Sequence, residues 1–246
     1  MKKTFLFASI LCMVGFNAIS KNYVSTTASF AKIYAPSSDD RNVKNFTGVA
    51  AGGPINVVIK MGNTESLKFE GDAEAISTLV SEVKGNILVI RPKTSWTSWA
   101  KKYEGKTITA YVTAKDITSL TMSGNGSIIV SGALTSGEFT TTLSGSGSIK
   151  ANITADKLTG VISGSGDLNI SGKTDVVQVT ISGSGNLNGK ALTTNRLSAR
   201  ISGSGTVSIK TDGTIKAFIS GSGKVYYTGN PTIEKTVIGS GGVSEL

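Results

Sequence analysis

Histidine is absent from this sequence, cysteine occurs once, proline four times and tryptophan twice. Without histidine no Ser-His-Asp or Cys-His constellation can be assembled. The one cysteine, Cys12, lies inside an apolar N-terminal stretch and follows Ile10-Leu11, where lipid attachment requires a small residue, so it reads as unlipidated. If that stretch is removed on export, no thiol remains, and neither disulfide nor thiol chemistry is available to the rest of the chain. Long hydrophobic runs are missing as well. Beyond residue 20 no segment approaches the ~20 apolar residues that a membrane-spanning helix needs.

What the N-terminus does contain is an export signal. MKKTFLFASILCMVGFNAIS has Lys2 and Lys3 as its basic region, Phe5 to Phe16 as its apolar region and Ala18-Ile19-Ser20 as a small-x-small cleavage site. Residues 1–20 are therefore expected to be a signal peptide and the protein to be exported, to periplasm, cell surface or medium. Residues 21–45 are polar and unpatterned, with APSSDDRN at their centre, and read as a flexible leader. Residues 46–246 are long enough for one domain with a substantial core.

Glycine, by contrast, is abundant and regular. MSGNGSI, LSGSGSI, ISGSGDL, ISGSGNL, ISGSGTV, ISGSGKV and VIGSGGV follow one another, their first glycines at 124, 145, 164, 183, 203, 221 and 239. The spacing, 18 to 21 residues, marks a stacked repeat. Within a unit the period is two. Leu158, Gly160, Ile162, Gly164, Gly166, Leu168 and Ile170 alternate with residues that are polar apart from Val161, the pattern of a strand buried on one face. Each glycine inside an extended element costs roughly 0.5–1 kcal/mol relative to alanine, so the pairs must stand where a side chain cannot fit or where φ is positive.

Short strands with glycine corners at this period predict a parallel β-helix of about seven coils, stacked at ~4.8 Å. Leu143, Ile162, Ile181, Ile201, Ile219 and Val237 are expected as an internal ladder, and Asn125, Ser146, Ser165, Ser184, Ser204, Ser222 and Ser240 as an external one. INVVIKM, SLKFEG, NILVIRP and TITAYVTA follow another rhythm and read as the strands of an N-terminal cap. AEAISTLVSEVKG, after Asp72, reads as a short helix with Ala75, Ile76, Leu79, Val80 and Val83 at helical spacing. An antiparallel β-sandwich is the competing fold, but sandwich strands need not resemble one another as these units do.

FTGVAAGGPINVVIKMG, EGDAEAISTL, NILVIRP and the recurrent SGSG resemble the auto-transporter adhesin head GIN domain family of secreted bacterial proteins, over about residues 46 to 240. The resemblance implies a right-handed parallel β-helix, exported, with an adhesin-like role. It supplies no catalytic residues.

The residues themselves point away from catalysis. GKT at 172–174 follows Gly166 with five residues between the glycines where a phosphate-binding loop needs four, and the GxG pairs lack a third glycine and a following helix. The aspartate of GSGDLNI is replaced from unit to unit by Ser148, Asn186, Thr206, Lys224 and Gly242, which breaks any line of calcium sites. No cofactor or metal is implied. Asp156 and Asp175, nineteen residues apart, are spaced to stack on adjacent coils, as is Asp167 with its neighbours, the arrangement on which a polysaccharide lyase or glycoside hydrolase would have to be built; the plainer expectation is corner residues satisfying backbone donors.

One constellation suggests binding. Residues 84–115 carry Lys84, Arg91, Lys93, Lys101, Lys102, Lys106 and Lys115 against Glu104 alone, together with Trp96, Trp99 and Tyr103. Aromatic faces beside cations suit an anionic glycan or a lipid headgroup, with Trp96, Trp99, Tyr103, Lys93, Lys101 and Lys102 as the contact residues. In the alternative reading Trp96 and Trp99 pack over the open end of the β-helix as a plug, and the lysines simply solvate the loop. Nucleic acid is not expected as a partner of an exported chain. The expectation is thus a non-enzymatic, adhesin-like or envelope polysaccharide- or lipid-binding protein. A lyase or hydrolase and a self-assembling surface protein are the alternatives.

Overall fold

A computed structural model describes residues 37–246; the expected signal peptide and residues 21–36 of the expected leader lie outside the described residues. The chain begins with β1 (Ser37–Arg41), β2 (Gly48–Gly52), β3 (Ile55–Met61), β4 (Ser66–Gly71), the helix α1 (Ala73–Ser77), β5 (Leu79–Lys84), β6 (Ile87–Pro92), a second helix α2 (Trp96–Lys102), β7 (Ile108–Ala114) and β8 (Ser119–Gly124). The repeat follows as β9 (Ser127–Gly145), β10 (Ser148–Gly164), β11 (Asp167–Gly183), β12 (Asn186–Gly203) and β13 (Thr206–Gly221), and the last coils as β14 (Lys224–Thr228), β15 (Thr232–Ile238) and β16 (Gly242–Glu245).

The repeat strands pair only in parallel, each with the next. Gly145, Gly164, Gly183, Gly203 and Gly221 stand directly over one another. This is a parallel β-solenoid of about seven turns, and it excludes the antiparallel sandwich. Each coil has two faces. The N-terminal half of β13 pairs with β14 and its C-terminal half with β15, so a second bend divides every long strand. Asp156, Asp175, Asn195, Asp212 and Asn230 sit at that bend, where Asn195 donates to Asp175 Oδ1 at 3.1 Å and the Asn230 N–H to Asp212 Oδ1 at 3.0 Å. Beneath them the buried hydroxyls of Thr174 and Thr194 donate to the carbonyls of Val176 and Arg196, satisfying polar groups that would otherwise be costly inside.

The glycine corners explain their own composition. Gly164 has φ +121°, and a Cβ on it would stand 2.5 Å from the carbonyl oxygen of Gly145 in the coil below. The second glycine of a pair is excluded for another reason: a Cβ on Gly185 would lie 2.5 Å from Cγ2 of Ile162. The inward isoleucine of one coil thus fills the space that the second glycine of the next leaves open. Between them every corner serine is exposed, as are Ser144, Ser163, Ser182 and Ser202. Inside, Leu143, Ile162, Ile181, Ile201 and Ile219 are fully buried, flanked by the ladder Phe139, Leu158, Val177, Leu197 and Ile215. Val237, expected to end the first ladder, is half-buried because among the described residues β15 pairs with β13 alone, leaving its outer side uncovered.

The N-terminal region is where the reading from sequence needs correction. β1 falls within residues 21–45, expected to be flexible, yet it pairs antiparallel with β4. The cause is Arg41, whose guanidinium donates to the carbonyls of Leu79 (3.0 Å) and Ile76 (3.2 Å) and to Ser81 Oγ. The expected helix stops at Ser77. Thr78 leaves helical geometry with its hydroxyl on the Ala75 carbonyl, and Leu79–Lys84 becomes a strand because β6 offers it an antiparallel partner across a Gly85-Asn86 hairpin turn. Tertiary pairing overrides the helical spacing.

The stacking order also departs from chain order. β6 and β7 form an outer rung, β2 and β3 lie on it, and β8 and β9 lie on those. The corner between β2 and β3, Gly52-Gly53-Pro54, is a further member of the glycine stack: the Gly53 N–H donates to the Ser123 carbonyl at 2.7 Å. Antiparallel β4 and β5 then close the N-terminal edge. At the other edge, β15 carries Lys235 in the inward row of Val179, Ala199 and Ala217. A charge at an inward register on an edge strand disfavours the addition of further strands, which weighs against a self-stacking surface protein.

Candidate functional site

Helix α2 occupies the outer rung at the corner where the later coils have GSG. Its residues fold onto α1. The Trp99 indole N–H donates to Thr78 Oγ1 at 2.7 Å, its ring meets that of Tyr103 at 5.1 Å between centroids, and both side chains are buried, at 3% and 7% exposure. The Tyr103 hydroxyl and the Lys102 ammonium both donate to Glu74 Oε1, at 3.2 and 3.0 Å. Lys93 donates to the Ser77 carbonyl at 3.2 Å, and Lys106 pairs with Asp72 at 3.0 Å. Lys101 is exposed, and the Trp96 side chain lies outside the described structure.

The basic excess counted over residues 84–115 is therefore misleading, because its partners lie just upstream. Lys84 pairs with Glu82 at 2.8 Å, and Arg91 reaches the same carboxylate at 3.7 Å. Trp99 and Tyr103 offer no open ring face, so the expected aromatic platform does not form from these two residues. They have instead the contacts of a plug.

The electrostatics of the plug give it a pH dependence. The Asp72 carboxyl is held below its ordinary range, first by the Ala75 N–H at the start of α1 and then by Lys106; that of Glu74 is held down by Lys102 and then by Tyr103. Depressed carboxyls stabilise the folded cap above their unfolded values of about 4 and lose that contribution as the pH falls through the folded ones. Amide exchange in α1 and α2 is expected to accelerate relative to that in the coils as the pH drops from about 5 towards 3. In the Asp72→Asn, Glu74→Gln double variant the ratio should stay flat. A flat ratio in the unsubstituted protein would contradict this role.

A different surface has the properties expected of a site. On the face formed by the C-terminal halves of the coils, outward rows run across rungs: Gln178, Ser198, Lys216 and Glu234 in one, Thr180, Arg200, Phe218 and Thr236 in the next. These rows line a groove of about 650 Å³. Lys216 is engaged with Glu234 at 3.0 Å, and Glu234 is the one carboxylate in the lining. The Arg200 side chain has neither a hydrogen bond nor an ion pair among the described residues. Phe218, its direct neighbour one rung on, is 41% exposed. The groove thus places a free guanidinium beside an open aromatic face on a rigid sheet. Sequence reading missed it, although aligning the units on their glycines exposes the signal: Phe218 stands where the earlier units have Thr142, Val161, Thr180 and Arg200.

The carboxylates Asp156 and Asp175 do lie on adjacent coils, but both are exposed at the second bend and Asp175 accepts from Asn195. That is the behaviour of turn residues satisfying neighbouring donors. No helix among the described residues is long and apolar enough to cross a membrane.

Comparisons with known proteins agree with this architecture. The family model described as putative auto-transporter adhesin, head GIN domain, matches residues 45–231. Among solved structures, a putative adhesin from Bacteroides fragilis superposes with a TM-score of 0.75 at 22% identity, covering 86% of this chain and 97% of that one. A putative lipid binding protein from Parabacteroides distasonis gives 0.68 at 21% identity, covering 86% and 96%. A putative adhesin from the same species gives 0.67 at 21% identity, covering 86% and 97%. At these identities the likeness shows the fold. No curated protein matches the chain.

Proposed function

The chain belongs to the auto-transporter adhesin head GIN domain family, and from that premise we propose that it is an exported, non-enzymatic protein that binds envelope polysaccharide along its solenoid. The observation that carries this reading is the groove over β11, β12, β13 and β15, with unpaired Arg200 beside exposed Phe218. Sugar rings stack on open aromatic faces, and hydroxyl, amide and guanidinium groups on a preformed sheet bind them with no backbone to order, only side chains. One similar structure is described as lipid binding. A polar lining of Gln178, Thr180, Ser198 and charged side chains favours a sugar over an acyl chain here.

Glycosidase chemistry asks for two carboxyl groups about 5–10 Å apart across the bond, and Glu234 stands alone in the groove, engaged with Lys216. Binding of the mature chain to a panel of bacterial polysaccharides and lipid vesicles tests the proposal. Saturable retention on polysaccharide, with no new reducing ends or unsaturated products, is the expected result. Retention on vesicles alone, or turnover of a bound glycan, would overturn it.

A further inference from the structure

We infer that the groove selects acidic sugars: that it is a subsite for a uronate residue, whose carboxylate is paired by Arg200 while its ring lies on Phe218. This rests on the glycan-binding reading and adds the ligand class. The charge in the groove is unbalanced. In the outward rows Arg200 and Lys216 stand with a single carboxylate, Glu234, which is spent on Lys216. The Arg200 guanidinium is left with its donors free on an exposed sheet. A guanidinium is a planar fork that matches a carboxylate through two parallel hydrogen bonds, a geometry that a lysine cannot reproduce.

Distance decides the rest. Arg200 and Phe218 are register partners on adjacent rungs, about 4.8 Å apart along the stack. A six-membered sugar lying on the Phe218 ring brings a carboxylate at its rim over the neighbouring rung, where the guanidinium stands. Thr180 continues the row on the preceding rung with Gln178 beside it, and Ser198 stands beside Arg200 on its own rung; they give hydroxyl and amide partners to the next sugar of a chain. Neither Arg200 nor Phe218 supports the fold: both point outward from interior ladders that are complete without them.

Calorimetric titration with an oligogalacturonate, its methyl ester, a neutral glucan oligosaccharide and a sulfated oligosaccharide tests the inference. The free acid should bind about tenfold or more tighter than its ester, with the preference shrinking as salt is raised. Arg200→Gln should abolish the preference, and Arg200→Lys should restore only part of it. Phe218→Ala should weaken acid and ester alike, and Glu234→Gln should tighten the acid. Thermal unfolding should be unchanged in all four variants. Equal binding of acid and ester, a preference that survives Arg200→Gln, or a sulfated chain bound as tightly as the uronate would overturn the acidic-sugar assignment while leaving glycan binding in place. No binding to any of the four would overturn both.

Discussion

Gly183→Val is expected to destabilise the solenoid by about 2–6 kcal/mol, whereas Ser184→Ala, one residue on, should fall within about 0.5 kcal/mol of the unsubstituted protein. Two penalties combine at Gly183. Its φ of +118° is a conformation that side-chain-bearing residues adopt only under strain, and a Cβ there would stand 2.5 Å from the Gly164 carbonyl oxygen. That oxygen accepts from the Ser184 and Gly185 N–H groups at 2.9 Å, so relief by backbone movement breaks the hydrogen bonds that hold one corner on the next. Ser184 faces solvent and contributes no buried surface. Equilibrium denaturant unfolding of the two variants checks the contrast. Similar midpoints for both would mean that the corners are not tightly stacked.

The second large effect is expected at the cap. Trp99→Ala removes a buried indole and its hydrogen bond to Thr78, and should cost about 3–5 kcal/mol, lowering the melting temperature by roughly 10 °C. Polysaccharide binding should stay within a factor of about two, because the groove lies over β11, β12, β13 and β15 while α2 belongs to the outer N-terminal rung. The opposite outcome, a stable protein that no longer binds, would move the site to the basic aromatic segment. The measurement therefore separates a plug from a platform, the two readings that the same residues allow in sequence.

Sequence does not separate the two readings, because the carboxylates that pair with the basic residues lie outside the basic segment. Asp72, Glu74 and Glu82 lie outside residues 84–115 yet supply partners to Lys106, Lys102, Lys84 and Arg91 once α1 and β5 fold back. The coils were legible for the opposite reason. Their contacts repeat at a nearly constant separation, so the inward ladder from Leu143 to Ile219 and the serines outside it follow from alignment of the units. The cap has no such period. β2 and β3 are inserted beneath β8 and β9 from far away in the chain, and Leu79 to Lys84 satisfies a helical pattern while pairing as a strand. The groove depends on one aromatic at a polar position and one unpaired arginine beside it, a signal that becomes visible only after the rungs are laid over one another.

The fold and the groove both depend on the rungs being in register, with equivalent corner residues directly above one another. Spin labels on cysteines introduced at Ser123 and, in turn, at Ser182, Ser202 and Ser220 in a Cys12→Ala background measure this directly, since these serines occupy one row of the stack. The expected backbone separations are about 14, 19 and 24 Å, rising by one strand spacing per coil. Separations that fail to increase in equal steps, or that shorten between the second and third pair, would contradict the stacked solenoid and the groove built on it.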